Sequence, residues 1–343
     1  MSAAARKSLA FTKYSGAGND FIIVDSRQEP SFVDGSSAAR ALCRRGTAVG
    51  ADGLILITTE GLEEGVHGRM QLWNADGSTA EFSGNGARCA VRFLADEGLA
   101  PSAVRLQTDV GIVEGVVEGR NVRVKVPGSG KVWPQRRLRV EGRDLVGTYV
   151  SIGIPFFVVL HEDPDDLPVR YLGRAIRNHA DLQPAGANVD FVRVDEEQAL
   201  YFRVYERGVE DETLSSGAGS IAAALAAAAA DRTASPVACA AAGGTLMVRF
   251  RPMPATTVPE PEPVASSEPQ AESAAQPGSE SESVIPPAEA AAGDEPPSQP
   301  DADGNQLPRI AEGPPLEYVD IEVEGDTRRV MEGTAAADAL RSR

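Results

Sequence analysis

The chain has 343 residues, a formal net charge of −17 and an apolar content of 42%. This length allows two domains of ordinary size, and no apolar run approaches the roughly 20 residues that a membrane-spanning helix needs. Its three cysteines lack CxxC spacing, which argues against a disulfide framework or a zinc site and fits a reducing compartment. We therefore expect a cytoplasmic protein that does not associate with membranes.

Residues 252–308 carry most of the negative charge. They include eleven acidic residues and thirteen prolines but no Lys, Arg or aromatic residue, which leaves a net charge of −6 on the rest of the chain. So few apolar side chains cannot offset the entropy lost on ordering the segment. We predict a disordered insert that acts as a solvated linker or as an acidic tail for a partner. No basic segment interleaved with aromatics suggests nucleic-acid binding.

Hydrophobic patterning predicts the elements of the N-terminal half. In chain order these are strands at 9–14 and 21–25, a helix at 37–45, strands at 54–58 and 69–74, a helix from 84 to about 97, and a hairpin formed by 104–107 and 111–117. We assign residues 1–117 to an N-terminal lobe.

The C-terminal half repeats this order. The pattern predicts strands at 121–126, 149–152 and 156–161, a helix at 169–178, strands at 188–193 and 199–205, an alanine-rich helix at 217–230, a strand at 243–250, and a last pair at 319–323 and 328–332. We assign residues 118–251 to a C-terminal lobe and the final strands to 309–343. The fold class is α+β, with strands packed around one long helix in each half.

A Ser-Gly-x-Gly motif occurs twice, each time at the predicted start of a long helix. The copies are Ser83-Gly84-Asn85-Gly86 and Ser216-Gly217-Ala218-Gly219. A helix N-terminus offers unpaired N–H groups and a positive dipole end, and glycine lets a ligand approach the backbone. Two such termini aimed at one point would bind a small anion, such as the α-carboxylate of an amino acid.

A polar N-cap side chain on each helix would then flank the ligand. One side could remove a proton and the other return it, which is the geometry of a two-base racemase or epimerase. The structural alternative is that Ser83 and Ser216 only cap their helices, for which serine is favoured in any case.

The surrounding motifs resemble the diaminopimelate epimerase family. They are Gly16-Ala17-Gly18-Asn19-Asp20-Phe21, the run from Arg44 to Gly53, Asn74-Ala75-Asp76-Gly77-Ser78, Gly84-Asn85-Gly86-Ala87-Arg88-Cys89, Ala187-Asn188-Val189-Asp190-Phe191, the run from Tyr205 to Leu214, and Gly243-Gly244-Thr245-Leu246. The resemblance implies cofactor-independent interconversion of LL- and meso-diaminopimelate, a precursor of lysine and peptidoglycan. It also implies two pseudo-symmetric lobes, each a curved mixed sheet around a central helix, with the last strand returning to the N-terminal lobe.

Site residues follow from the same resemblance. Gly84 and Asn85, with Gly217 and Ala218, are expected to bind the α-carboxylate, and Glu206 the α-ammonium. Further substrate contacts are expected from Asn19, Asn74, Asn188 and Arg207, the last of these to a distal carboxylate. The alternatives are that an Asn serves only its turn, and that Arg207 pairs with Glu210 or Asp211. The expected ligand is a small amino-acid substrate, and no metal or other cofactor is expected. The sequence leaves a homodimer open.

The sequence departs from the family pattern at three places. The family's catalytic bases are cysteines at the positions of Ser83 and Ser216, and its Asn-Pro-His is Ile154-Pro155-Phe156 here. A serine hydroxyl is far less acidic than a thiol and needs a partner base. Glu81 and Glu206 are candidates for that role, whereas Cys89 is predicted to be a buried helix residue.

Three hypotheses follow. The chain is a diaminopimelate epimerase that works with serines, an isomerase or lyase acting on a different amino acid, or a catalytically impaired relative that binds a ligand. The retained glycine pairs and polar residues favour an amino-acid ligand in each case.

Overall fold

The computed structural model describes residues 8–32, 34–80, 82–254 and 307–336. The first lobe contains β1 (Ser8–Gly16), β2 (Asn19–Asp25), α1 (Gly35–Leu42), β3 (Gly53–Thr58), β4 (Gly68–Asn74), α2 (Gly84–Asp96), β5 (Ala103–Thr108), β6 (Gly111–Glu118) and β7 (Asn121–Lys125).

The second lobe has a similar order of elements but contains additional strands. It contains β8 (Gly130–Val140), β9 (Arg143–Ser151), β10 (Pro155–Leu160), α3 (Val169–Arg177), β11 (Asn188–Val194), β12 (Leu200–Glu206), β13 (Asp211–Thr213), α4 (Gly217–Ala229), β14 (Val237–Ala241) and β15 (Gly244–Pro252), and β16 (Leu316–Ala336) follows.

Strand pairing closes each lobe on itself. Among the described residues, β1 to β7 follow one another in order and β16 returns to β1, whereas β8 to β12, β14 and β15 form a second ring that β16 also completes. The two rings share β16, whose 327–336 half pairs with β1 and whose 316–326 half pairs with β15, β7 and β8. This long strand joins the two lobes.

One helix lies inside each ring. Helix α2 contacts all eight strands of the first ring, and α4 contacts all eight of the second. Alanine makes this possible, because α4 is buried on every side from Gly217 to Ala227 and only a slim helix fits within closed strands. The predicted class, α+β with two lobes that each wrap a curved mixed sheet around a central helix, is confirmed.

The lobes repeat one connection pattern. Strands β2 and β3 pair in parallel with α1 between them, and β10 and β11 pair in parallel with α3 between them. In each lobe the next strand, β4 or β12, is antiparallel to its predecessor and leads to the central helix. The ends of β4 and β12 therefore occupy equivalent positions at the rim of their rings.

Several sequence predictions need correction. The predicted boundary at 117/118 lies inside the β6–β7 hairpin, and β7 packs on α2, so the first lobe extends through Lys125. The hairpin of β8 and β9 replaces the single predicted strand at 149–152. The last predicted pair is one continuous strand, because both of its halves find partners in different rings.

The predicted disordered insert, 252–308, lies largely outside the described residues. At its edges the chain is regular: the N–H of Met253 donates to the carbonyl of Glu317 at 2.8 Å, and a short 3₁₀ turn occupies Arg309–Ala311. In the described part of the chain, no helix combines the length and apolar character that crossing a bilayer requires.

Candidate active site

A cleft of about 890 Å³ lies between the lobes. Among the described residues, every one that the sequence predicted for the site lines this cleft: Asn19, Asn74, Ser83, Gly84, Asn85, Asn188, Glu206, Arg207, Ser216, Gly217 and Ala218. They come from the ends of strands and from the first turns of the two central helices. The shared position at the lobe rims explains why residues so distant in sequence meet here.

Both predicted serines cap their helices. Ser83 Oγ accepts from the N–H of Gly86 at 3.0 Å, and Ser216 Oγ accepts from the N–H of Gly219 at 3.0 Å. Each cap satisfies the third N–H of its helix, which is the usual geometry of a serine N-cap. Both serines therefore act as N-caps, and both also line the cleft.

The first two N–H groups of each helix remain available. Within the described residues, the N–H groups of Gly84 and Asn85 in α2, and of Gly217 and Ala218 in α4, have no protein acceptor. Such orphan donors at a positive dipole end attract an anion. Four donors from two helices thus face one cleft.

The two helix ends touch. A Cβ atom placed on Gly217 would lie 3.0 Å from Asn85 Oδ1 and 3.1 Å from the Asn85 nitrogen, closer than most real side-chain contacts. A Cβ on Gly84 would meet nothing nearer than 3.6 Å. Glycine at position 217 is therefore what allows the two N-termini to converge.

Ser216 has a carboxylate beside it. Glu206, at the end of β12, accepts a hydrogen bond from Thr213 Oγ1 at 2.7 Å and interacts with the Ser216 hydroxyl. Burial raises the pKa of Glu206 to about 7, with a further rise from the charge of Asp52 across the cleft, although the hydrogen bonds of Thr213 and Ser216 oppose it. Glu206 is thus poised to exchange a proton near neutral pH.

Ser83 lacks an equivalent described neighbour. Glu81, the predicted partner of Ser83, lies outside the described residues. Asn74, rather than a carboxylate, stands at the end of β4, where β12 carries Glu206. The two sides of the cleft are consequently unequal in chemistry.

A charged cluster forms the wall of the cleft on the first lobe. Arg45 bridges Asp20 and Asp52 at 2.6 Å each, and Lys13 pairs with Asp20 at 2.8 Å. Burial raises the pKa of Asp20, but the hydrogen bonds of Arg45 and Lys13 outweigh it and hold the pKa below its usual value. Asn19 Nδ2 donates to Asp52 Oδ2 at 2.7 Å, so this cluster fixes the Asn19 amide.

Asn188 has a supporting position. Its Nδ2 donates to the carbonyl of Pro155 at 3.1 Å, and its Oδ1 accepts from the backbone N–H of Arg207 at 2.8 Å. Direct contact of Asn188 with a substrate stays a prediction. Through these two hydrogen bonds, Asn188 links the backbone of Arg207 to the start of β10.

Arg207 and Asn74 lie on opposite walls. Arg207 donates to the carbonyl of Ala185 at 3.3 Å, while its suggested partners Glu210 and Asp211 form ion pairs with Arg177 and Arg170. Asn74 Nδ2 donates to Ser78 Oγ at 3.0 Å within its own turn and would lie 4.0 Å from a Cβ on Gly208 across the cleft. Asn74 therefore serves its turn and also lines the cleft.

Apolar side chains occupy one part of the lining. Ile154 and Phe156 face the cleft, as the sequence suggested. All three cysteines are buried; of these only Cys43 touches the cleft, and burial raises its pKa to about 12. Burial also raises the pKa of Cys89 to about 12. None of the cysteines takes the place of a capping thiol.

Two buried charged residues received no role from sequence reasoning. Asp190 on β11 is fully buried, its two carboxylate oxygens have no hydrogen-bond partner, and Oδ2 lies 3.2 Å from a Cβ built on Gly219. Burial, with the charge of Glu206, holds the pKa of Asp190 well above its ordinary value. Arg88 on α2 is equally buried. In the sequence, each of these two charged residues stands among small or apolar residues, and this pattern could have indicated a buried charge.

Comparison with known proteins agrees with this geometry. The sequence pattern described as "Diaminopimelate epimerase" matches residues 11–130 and 148–257. A diaminopimelate epimerase of Aquifex aeolicus is 41% identical over 226 residues, covering 63% of this chain and 80% of that protein. The diaminopimelate epimerase of Moorella thermoacetica is 34% identical, covering 71% and 92%.

Solved structures share the fold at low identity. A probable proline racemase from Agrobacterium radiobacter superposes with a TM-score of 0.61 at 12% identity, covering 96% of this chain and 93% of the other. A hydroxyproline epimerase from Agrobacterium vitis gives 0.57 at 12%, covering 98% and 94%. With a family pattern that spans both lobes and relatives above 30% identity over most of their length, the chain belongs to the diaminopimelate epimerase family.

Proposed function

We propose that this chain is a cofactor-independent amino-acid epimerase that interconverts LL- and meso-diaminopimelate. The observation that carries the proposal is the pair of touching helix N-termini, whose four N–H groups have no acceptor among the described residues and face one cleft beside two capping hydroxyls. The α-carboxylate would accept from Gly84, Asn85, Gly217 and Ala218. Holding this charge also stabilises the carbanion-like transition state, because the negative charge that develops on loss of the α-proton spreads into the carboxylate.

Proton removal on the Ser216 side would use Glu206. As Ser216 Oγ takes the α-proton, its own proton passes to the Glu206 carboxylate. A carboxylate with a pKa near 7 can both accept and return a proton at neutral pH. Ser83 would deliver its hydroxyl proton to the opposite face of the α-carbon, which inverts its configuration. A solvent water would then reprotonate Ser83 Oγ, and Glu206 would release its proton to the resulting hydroxide.

The test is exchange of the α-hydrogen. In deuterium oxide, the purified protein at high concentration should incorporate deuterium into LL-diaminopimelate and form the meso isomer. The S83C/S216C double variant should be faster, because a thiolate is far easier to form at a helix N-terminus. S220C, which adds a thiol one turn further along α4, serves as the control and should give no gain. Absence of exchange in both the parent and S83C/S216C would refute the assignment.

A second candidate is an isomerase for a less polar amino acid. Ile154 and Phe156 favour it, because they give part of the cleft an apolar lining. The same exchange assay across apolar and polar amino acids separates the two candidates: a hit with an apolar amino acid, lost in S216A, would favour the second. Ligand-induced thermal stabilisation without exchange would instead indicate a relative that only binds.

A further inference from the structure

Arg88 is a buried cation that forms no ion pair with a carboxylate of the described residues. Its side chain is fully buried, its Nε has no hydrogen-bond partner, and within the described residues no carboxylate forms an ion pair with it. Burial lowers the pKa of Arg88 to about 10, so it remains charged at neutral pH. An uncompensated buried charge is strongly unfavourable.

The position of Arg88 on its helix adds to this cost. It lies in the second turn of α2, near the positive end of the helix dipole, where cations are disfavoured. The equivalent position in α4 is Ile221, also fully buried. The fold therefore does not need a cation there, and the placement of Arg88 indicates a ligand-related role.

Arg88 is connected to the cleft through a chain of amides. Its Nη2 donates to Asn85 Oδ1 at 2.6 Å, and its Nη1 donates to the carbonyl of Gly84 at 3.4 Å. Asn85 Nδ2 donates to Asn19 Oδ1 at 3.3 Å, and Asn19 Nδ2 donates to Asp52 Oδ2 at 2.7 Å.

The two ends of this chain fix its direction. A guanidinium can only donate and a carboxylate can only accept, so Asn85 and Asn19 must both point their NH₂ groups away from Arg88. Each NH₂ keeps one hydrogen beyond the bond already made. These hydrogens are available to an anion at the helix ends, together with the backbone N–H of Asn85.

We propose that Arg88 is a positioning residue that supplies the buried counter-charge for the ligand carboxylate bound at the α2 and α4 N-termini, acting through Asn85 and Asn19. The inference rests on the proposed function in that it assumes a carboxylate ligand. Among the described residues, the carboxylate linked to Arg88 is that of Asp52, which lies beyond two amides and already pairs with Arg45. A ligand carboxylate at the helix ends would give Arg88 a nearer counter-charge. Two experimental arms separate the inference from the proposed function.

The first arm uses no ligand. N85D places a carboxylate where Asn85 Oδ1 now accepts from Arg88, so it should raise the melting temperature of the empty protein by supplying the missing counter-charge. The same change in an R88M background should lower the melting temperature. The matched control is the difference in melting temperature between A218N and A218D. This pair makes the same Asn-to-Asp change at the equivalent position of α4, where Ile221 replaces the arginine. Should R88M not fold, N85D alone against this control decides.

The second arm measures binding of LL-diaminopimelate by calorimetry. R88M should weaken it at least tenfold and R88K less, whereas R92M, an arginine loss one turn along the same helix, should leave it unchanged. If the parent protein does not bind LL-diaminopimelate, the proposed function fails. The melting temperatures of the first arm then decide by themselves whether Arg88 lacks a counter-charge. Equal shifts of melting temperature on N85D in both backgrounds, or no difference between N85D and the A218N/A218D pair, would overturn the inference.

Discussion

The two capping serines have different electrostatic surroundings. Ser216 interacts with Glu206, whose carboxylate lines the cleft and is influenced by the charge of Asp52. Asn74 occupies the position equivalent to Glu206 beside Ser83. A neutral amide cannot take a proton at neutral pH, so the described residues concentrate acid–base capacity on one side of the cleft.

The pH dependence of turnover follows from Glu206. Because the base must be ionised, kcat/KM should rise with pH and reach half its maximum near pH 7, the pKa that burial imposes. E206Q should lower kcat/KM by roughly 10²–10⁴-fold and remove that limb of the profile, as rates from pH 5 to 9 will show. E197Q, in an exposed turn, is the control. A profile unchanged in E206Q would exclude Glu206 as the base.

Asp190 should make stability depend on pH. Its pKa is raised in the folded state above the unfolded value of about 3.9, so folding takes up a proton between these two values. The ionisation of Asp190 therefore contributes no cost below pH 4 and lowers the stability by about 1.4 kcal/mol per pH unit above it, until the folded pKa is reached. D190N should match the parent near pH 4 and exceed its stability increasingly towards pH 8.

Denaturant unfolding at pH 4.5, 6 and 8 measures this difference. D320N should show the opposite sign, since the hydrogen bond of Lys125 lowers the pKa of Asp320: the parent should be the more stable at pH 8, and the difference should fade on acidification. A gap between D190N and the parent that stays constant with pH would show that Asp190 titrates normally.

At the scale of elements, the contact between the N-termini of α2 and α4 is what makes the site. The helices approach so closely that Gly217 packs on the backbone of Asn85. Counting only acceptors among the described residues, neither helix alone presents more than two unpaired N–H groups to the cleft, so the four-donor carboxylate site that we propose requires this contact.

G217A should break this contact while G84A should not. The added methyl group at 217 would lie 3.0 Å from Asn85 Oδ1. Overpacking of this kind destabilises a protein by about 1–3 kcal/mol. At 84 the nearest atom would be 3.6 Å away, so only the gain in helix propensity remains, up to about 1 kcal/mol. Thermal unfolding of the two variants gives the comparison. Equal stability of G217A and G84A would mean that the helix ends can separate freely.

At the scale of the whole molecule, β16 makes the two lobes one unit. Its ends belong to different rings, and one hydrophobic core runs from Ile55 in the first lobe through Val323 to Leu225 in the second. Loss of β16 would open both rings at once, so we expect a single unfolding transition.

The two tryptophans can test this coupling. Trp73 lies on β4 in the first lobe, and Trp133 is buried on β8 in the second, where it donates to the carbonyl of Gly313 at 2.9 Å. In W133F the remaining Trp73 reports unfolding of the first lobe, and in W73F the remaining Trp133 reports unfolding of the second. In each variant, the midpoint of the fluorescence denaturation curve should equal the midpoint measured by circular dichroism.

I321A, on the shared strand, should move both curves equally, by about 2–5 kcal/mol for loss of a buried isoleucine side chain. Ile321 is buried in the common core. A shift confined to the Trp133 signal would show that the lobes unfold separately.

Much of the fold was accessible from the sequence because local pattern determines it. Serine caps, glycines and alanine-rich stretches define where α2 and α4 begin, and the two matching helix starts, with the family resemblance, predicted two similar lobes. The cleft residues were also accessible, because they lie in the motifs through which the chain resembles the diaminopimelate epimerase family. The β8–β9 hairpin and the single β16 were missed, because their patterning is irregular and their partners are far away in sequence.

The sequence by itself thus determined most of the elements, the twin helix caps and the family. Only the tertiary structure decided the closure of two rings by one strand, the contact of Gly217 with Asn85, and the surroundings of Glu206, Asp190 and Arg88. The reason is physical: capping and periodicity act over a few residues, whereas burial, pKa and counter-charge depend on every group that the fold brings near.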